Sequence, residues 1–416
     1  MNGTSHNEVL ALAEQVKNLS SSLVEHLQEI GRNPPDSSLA SPAVPEGDKS
    51  YDAIRNQLND AAFDLLLLAN GPKTHLRKIM CQGNDLAAYQ IAYDFNLFNT
   101  IPKDGSLELT SISEKTGLDA GLTGRVLRFL ATQRVFREVG KDTFAHTKAS
   151  YVLSEDEYLS SAGHYMISEM LEAASVAGAA LQEGVEPFTK RHGTNAWNYY
   201  MKDPVKATRF AKAMTGITKV DLHMEGLFSG FPWAELGNAR IVDIGGGSGH
   251  ISVRLARAFP NLKVTIQDND LEMLNSARKL DLTGMEDRLA FMQHDFFKPQ
   301  PVVDADVYFM RQVLHNWDDA SCEKILKALV PALEKSKPGT PLLINEAVVP
   351  ETGTRTRFEE GMMRQIDMHL MLSYSSKQRS EVEFDNILKR ADPRFQIVKV
   401  HSVGTVGLVE VHLQTQ

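Results

Sequence analysis

The residues best placed to do chemistry in this chain are one histidine, a few acids and a run of glycines. His315 stands in Met310-Arg-Gln-Val-Leu-His-Asn-Trp-Asp-Asp319, just past an apolar stretch with strand character. An imidazole titrates near neutral pH, so at such a strand end it can take a proton from a hydroxyl. Glu346 closes a second apolar stretch, Leu342-Leu-Ile-Asn-Glu346. Its carboxylate could hold the other ring nitrogen and fix the tautomer, as acid–histidine pairs do. Further upstream, Ile241-Val-Asp-Ile-Gly-Gly-Gly-Ser-Gly-His250 runs from a short strand through glycines into a helical pattern. Side chains at Gly245, Gly247 and Gly249 would keep the backbone from closing on a ligand and turning sharply into the helix.

That turn admits two ligand readings. A dinucleotide fingerprint is G-x-G-x-x-G, with a pyrophosphate on the helix N-terminus. Here the third glycine comes one residue early, and Asp243 stands two residues before the first. An acid there repels a pyrophosphate and suits a cationic ligand. Asp268 follows at the end of Lys263-Val-Thr-Ile-Gln267, about 20 residues on, where a ribose diol would be gripped. A third run ends at His294-Asp-Phe-Phe297. Asp295 offers a carboxylate for an exocyclic amine, and Phe296 a ring to stack on adenine. The series favours S-adenosylmethionine over NAD.

The elements that must hold these residues are legible from Gly237 onward. Strands are expected at 240–244, 263–267, 289–293, 305–310, 342–346, 396–402 and 407–413, with helices at 251–259, 271–280, 321–333 and 378–391. Such alternation predicts an α/β, Rossmann-like, mostly parallel sheet with helices on both faces. The last two strands are too close for a crossover helix and must form an antiparallel hairpin. Ligands in such sheets sit at the carboxyl ends of the strands, where every motif above falls.

The N-terminal half reads as helical. Residues 1–50 form an amphipathic helix and a Pro/Ser-rich linker, a helix expected to dock on a partner surface. In 51–155, helices at 52–69, 85–96, 109–118 and 120–133 precede a hairpin at 136–147, the winged-helix pattern. Dimerisation and DNA binding compete there, the latter through Arg125, Arg128 and Arg134. Residues 156–228 continue with helices at 164–181, 194–201 and 203–227; residues 229–416 carry the sheet. Met166, Met170 and Met214, with Trp197, Tyr199 and Tyr200, could line a pocket for a flat substrate or simply pack the core.

Composition narrows the partners. The chain has 416 residues and a net charge of -9, which argues against nucleic acid as the main partner. Two cysteines, Cys81 and Cys322, cannot build a disulfide framework or a cysteine metal site. No apolar run approaches a membrane span or a signal core. A cytoplasmic protein without a metal site is expected.

Taken in order, VDIGGGSG, QDND, HDFF, MRQVLHNWDD, INEAVVP and QIDMHLML resemble the S-adenosylmethionine-dependent O-methyltransferases of plant phenylpropanoid and flavonoid metabolism. They look closer still to the fungal sterigmatocystin-type polyketide O-methyltransferases. The resemblance runs from about residue 50 to the C-terminus. It implies a winged-helix dimerisation domain and a homodimer, with cofactor contacts at Gly245, Gly246, Gly247, Asp268, Asp295, Phe296 and Arg311. It implies His315 as proton acceptor from a phenolic or enolic hydroxyl of a small aromatic or polyketide, Glu346 as its partner, and Trp317 and Met368 at the substrate. Two positions depart from the family pattern. His315-Asn316-Trp317 stands for His-Asp-Trp, and Ser376-Lys-Gln-Arg-Ser380 carries Gln378 where a second glutamate is usual. Gln378 hydrogen-bonds but cannot stabilise an imidazolium by charge, which leaves open a pericyclase of the same fold that keeps S-adenosylmethionine without transferring its methyl. A winged-helix regulator that senses the cofactor is the non-enzymatic alternative.

Overall fold

The computed structural model describes residues 5–220, 224–403 and 406–414. Residues 221–223, inside the helix expected over 203–227, and the hairpin tip 404–405 lie outside the described residues. Two compact units emerge: one from 1–172, 204–220 and 356–358, the other from 173–203, 221–355 and 359–416.

In the first unit, helix Ser5–Glu29 is followed by extended chain and by helix Lys49–Asp94. The N-terminal helix does not hang on a tether. Asp48 caps the second helix through the Ser50 and Tyr51 amides and also meets His26 Nε2 at 2.7 Å, while Leu27 is buried. The intervening segment is pinned as well, its Leu39 carbonyl accepting from Lys148 Nζ at 2.7 Å. The long helix breaks at Gly71 (φ 71°, ψ 166°), ahead of Pro72, which has no N–H to donate.

Strands β1 (Leu107–Glu108), β2 (Phe136–Gly140) and β3 (Thr143–His146) form an antiparallel sheet in the order β1-β3-β2. Helices Leu109–Thr116 and Ala120–Thr132 pack on it through Ile112, Leu127, Leu130, Phe136 and Phe144. This is the expected winged-helix pattern. Arg128, one of the arginines considered for DNA, is held by Glu138 at 2.8 Å and by Asp142 at 2.5 Å.

The helix expected over 164–181 is interrupted. Glu157–Tyr165 widens into a π-turn at Met166–Met170, continues as Leu171–Ser175, and restarts at Ala177–Gln182. Helix Pro204–Val220 lies tight against Glu157–Tyr165: a Cβ at Gly216 would stand 2.0 Å from the Tyr158 carbonyl oxygen.

The second unit is built on a seven-stranded sheet: β4 (Arg240–Ile244), β5 (Lys263–Asp268), β6 (Leu289–Gln293), β7 (Val307–Arg311), β8 (Leu342–Glu346), β9 (Phe395–Val403) and β10 (Val406–Leu413). Its order is β6-β5-β4-β7-β8-β10-β9. Strands β4 to β8 run parallel, and β10 is antiparallel to both β8 and β9. The central strands are apolar on both faces because helices cover both. Ile241, Val307 and Phe309 face a layer with Ile251, Leu255 and Leu274. Val242, Tyr308 and Met310 face another with Ile325, Leu329, Phe384 and Leu388. Helix Arg357–Tyr374 was not expected as an element; of its residues Met363, Leu370 and Ser373 are buried.

Candidate active site

β4 delivers the glycine loop. Gly245 has φ 73°, and a Cβ there would come within 2.8 Å of the Val313 side chain. At Gly246 a Cβ would stand 2.5 Å from Asp243 Oδ2. Around Gly247 (φ 55°) a Cβ would meet nothing within 4 Å, so this part of the loop faces open space. Asp243 lies behind the loop, 3 % exposed, and accepts from Ser252 Oγ at 2.6 Å. Burial pushes its carboxyl up to about 6.

β5 delivers Asp268. Its Oδ2 accepts from the Gly247 amide and its Oδ1 from the Asp270 amide, both at 2.9 Å. Burial raises this carboxyl too. After β6, Asp295 accepts from the Phe297 amide at 3.0 Å. The Phe296 ring reaches to 3.5 Å of where a Gly245 Cβ would be, which sets an aromatic face beside the loop. An open glycine cradle, an acid at the next strand end, a third acid and an adjacent ring fit the groups of S-adenosylmethionine. Gly245, Gly246, Gly247, Asp268, Asp295 and Phe296 are the residues that would hold it.

β7 ends at Arg311, which donates to the Asn345 side chain. Gln312 then takes a left-handed conformation (φ 51°), and a 3-10 turn, Leu314–Asn316, carries His315. The ring is 9 % exposed. Burial, reinforced by the charges of Arg311 and Arg379, pushes this imidazole down to about 3, so it is neutral at pH 7.

No hydrogen bond among the described residues joins Glu346 to the His315 ring. Its Oε1 accepts the His315 main-chain amide at 3.1 Å, and the nearby Leu314 and Val313 amides favour its charged form. The β7–β8 register explains why: Arg311 pairs with Asn345, so Glu346 comes level with the start of the turn and takes the His315 amide. Glu346 is 1 % exposed, and burial pushes it up to about 7.

The segment 376–379 clamps the same turn. Ser376 Oγ donates to the His315 carbonyl at 2.6 Å. Arg379, fully buried, donates to the Leu314 carbonyl (3.0 Å), the Trp317 carbonyl (2.8 Å) and Asp319 (2.8 Å). Gln378 lies between these clamps. Its amide N–H donates to Asp367 at 2.7 Å, and its Oε1 is buried with no hydrogen-bond partner among the described residues.

Rings line the surroundings. Trp317 meets Phe297 edge-on at 4.9 Å and Phe296 at 5.9 Å, and lies parallel to Trp197 at 6.1 Å. Tyr374 contacts both Trp197, at 5.1 Å, and His369, at 6.0 Å. Of the other pocket candidates, Met368 is half exposed. Met166, Met170 and Met214 belong to the first unit, Met170 buried there.

Sequence reasoning missed Gln312, Ser376, Arg379 and His369. A positive φ leaves no mark at a glutamine, and Arg379 reads as an ordinary basic residue ahead of a helix cap.

The chain matches the O-methyltransferase domain model over residues 174–393 and the O-methyltransferase dimerisation domain model over 85–156. It is 43 % identical over 410 residues to O-methyltransferase sol2 of Alternaria solani, covering 97 % of this chain and 95 % of that protein. It is 31 % identical over 373 residues to the grayanic acid biosynthesis cluster O-methyltransferase of Cladonia grayi, covering 88 % and 79 %. Among solved structures, the mitomycin 7-O-methyltransferase MmcR is 26 % identical, with a TM-score of 0.72 over 82 % of this chain and 98 % of that one. With the loop, the acids and His315 placed as described, the chain belongs to the O-methyltransferase family and is an S-adenosylmethionine-dependent O-methyltransferase.

Proposed function

We propose that the protein methylates a phenolic or enolic hydroxyl of a small aromatic or polyketide-type metabolite, with His315 as the general base. The observation that carries this is the imidazole at the end of β7. Burial holds the ring neutral and so able to accept a proton, and Trp317, two residues on, stands against Trp197 and Phe297. S-adenosylmethionine, when bound, supplies an electrophilic methyl group on a cationic sulfur. The protein's own contribution is then positional: Glu346, Ser376 and Arg379 fix the turn, and the neutral ring accepts the hydroxyl proton as the oxygen acts as nucleophile. Cofactor contacts are assigned to Gly245, Gly246, Gly247, Asp268, Asp295, Phe296 and Arg311. Asp243 supports the loop from behind. The substrate pocket is assigned to Trp317 and Met368, and Gln378 to the catalytic set.

The dimerisation-domain match supports a homodimer. No described helix is long and apolar enough to cross a membrane, and the cytoplasm is the proposed location. Incubation with methyl-labelled cofactor and a panel of phenols and enols tests the activity. Labelled methyl ether is the expected product, and its absence with the cofactor intact refutes it.

A pericyclase is the second reading, favoured by Gln378 in place of an acid. A solved structure described as a pericyclic reaction enzyme shares the fold at 22 % identity and a TM-score of 0.73. Substrate cyclisation without cofactor consumption would distinguish it.

A further inference from the structure

We propose that the buried Gln267–Gln300 amide pair is a positioning device for the cofactor. It sets the loop that carries Asp295 and Phe296 against Asp268, and through that spacing makes the site selective for adenine over other bases. The inference rests on the assignment above of Asp295 and Phe296 to the adenine.

The two side chains bond to each other reciprocally. Gln267 Nε2 donates to Gln300 Oε1 at 2.9 Å, and Gln300 Nε2 donates to Gln267 Oε1 at 2.8 Å. The pair has one sense. The Val302 amide donates to Gln300 Oε1 at 3.1 Å, and a main-chain N–H can only donate, so that atom is the oxygen. Gln267 Nε2 also reaches Met292 Sδ at 3.3 Å. Both glutamines are buried.

The pair sits where the cofactor loops meet. Gln267 and Asp268 are consecutive residues at the end of β5. The Gln267 carbonyl accepts the Gly246 amide at 2.8 Å and Asp268 accepts the Gly247 amide, so these two residues hold the glycine loop. They also hold both ends of the next loop. The Asp268 carbonyl accepts the His294 amide at 3.0 Å, and the Gln267 side chain grips Gln300. Asp295 and Phe296 lie between these anchors. The far anchor is stiff: Gln300 stands between Pro299 and Pro301, whose rings fix φ, and its amide donates to the Ala328 carbonyl at 3.1 Å. Asp295 Oδ1 is taken by the Phe297 amide, which leaves Oδ2 for an exocyclic amine.

Stability alone does not call for two amides here. On the neighbouring strands Gln267 pairs with Ile244 and Met292, and Val302 and Val303 pack on the same core. Apolar side chains of the same shape would fill this space at little cost to the fold. What they lack is direction. A reciprocal amide pair has one distance and one orientation, so it holds its loop in one register.

S-inosylhomocysteine carries a carbonyl oxygen where S-adenosylhomocysteine carries the amine, and the pair of ligands reads the selectivity. Titration calorimetry on the full chain should find the adenine ligand bound about 10- to 100-fold tighter, as a hydrogen bond to a carboxylate contributes. In the double variant Gln267→Met/Gln300→Met the ratio should fall to within about 3-fold of unity. Gln300→Met alone should lower it as far, and decides the matter if the double variant does not fold. Met292→Leu leaves the amide pair in place and should keep the wild-type ratio. A ratio of affinities does not depend on how much of a variant has folded. A wild-type ratio in the glutamine variants, or an equal fall in Met292→Leu, overturns this inference alone. Equal affinity of the wild-type protein for the two ligands overturns the assignment of Asp295 to the amine, and this inference with it.

Discussion

Glu346 offers the sharpest test of how the site is built. If its carboxylate supports the turn and not the imidazole, removing it should harm stability before chemistry. Glu346→Ala leaves the buried His315 amide without its acceptor. Such a group costs roughly 1–3 kcal/mol, so about that much should be lost. Glu346→Gln keeps an accepting oxygen and should cost much less, with a sign that depends on pH. The folded carboxyl is raised to about 7 from an ordinary 4.5. Its stabilising contribution is therefore complete below pH 4.5 and is lost as pH rises through 7. The glutamine variant lacks this loss. Relative to wild type it should gain up to about 3 kcal/mol between pH 4.5 and pH 8. Urea unfolding of the three proteins at pH 5 and pH 8 reads both effects, with kcat at saturating substrate measured in parallel. The reasoning is wrong if Glu346→Ala unfolds with the wild-type midpoint while kcat collapses. That pattern would put the carboxylate on the ring.

Other perturbations test the remaining parts. Gly246→Ala drives a Cβ to 2.5 Å from Asp243 Oδ2 and 2.9 Å from Ile266, and should weaken cofactor binding at least about 10-fold by titration calorimetry; unchanged affinity would show the loop is not where the cofactor docks. Arg379→Met removes a fully buried guanidinium that serves two carbonyls and Asp319, and should cost about 3–5 kcal/mol in denaturant unfolding, against less than about 1 kcal/mol if the turn holds without it. The imidazoles of His315, His369 and His250, depressed by burial to about 3, 4 and 4, stabilise the fold fully above pH 6.5. That contribution is lost as pH falls towards those values. Stability should decline on acidification from pH 6.5 to 4, and His250→Gln should flatten the decline; equal slopes would remove His250 from the account.

The parts of this molecule that were legible in the sequence are those where one physical constraint dominates. Strands β4, β6 and β8 end where their apolar runs end, because both faces are covered and any polar residue marks an edge. The loop glycines announce themselves because a Cβ at Gly245 or Gly246 has nowhere to go. Helix Arg357–Tyr374 was missed because few of its residues are buried and its charged residues blur the period. The π-turn at Met166–Met170 and the left-handed Gln312 are backbone choices that side-chain pattern does not encode. Glu346 was assigned to the imidazole because strand-end proximity was known but register was not; one residue past Asn345 is enough to give it to the main chain.

The most direct test of the whole account is stoichiometric. Mass spectrometry on a reaction with an accepted phenolic or enolic substrate, protonated at the assay pH, should find one methyl ether formed for each S-adenosylhomocysteine released. His315→Ala should lower the rate by about 100-fold or more while still binding cofactor. Substrate converted without S-adenosylhomocysteine, or full methylation by His315→Ala, would contradict the assignment of His315 as the base of a methyl transfer.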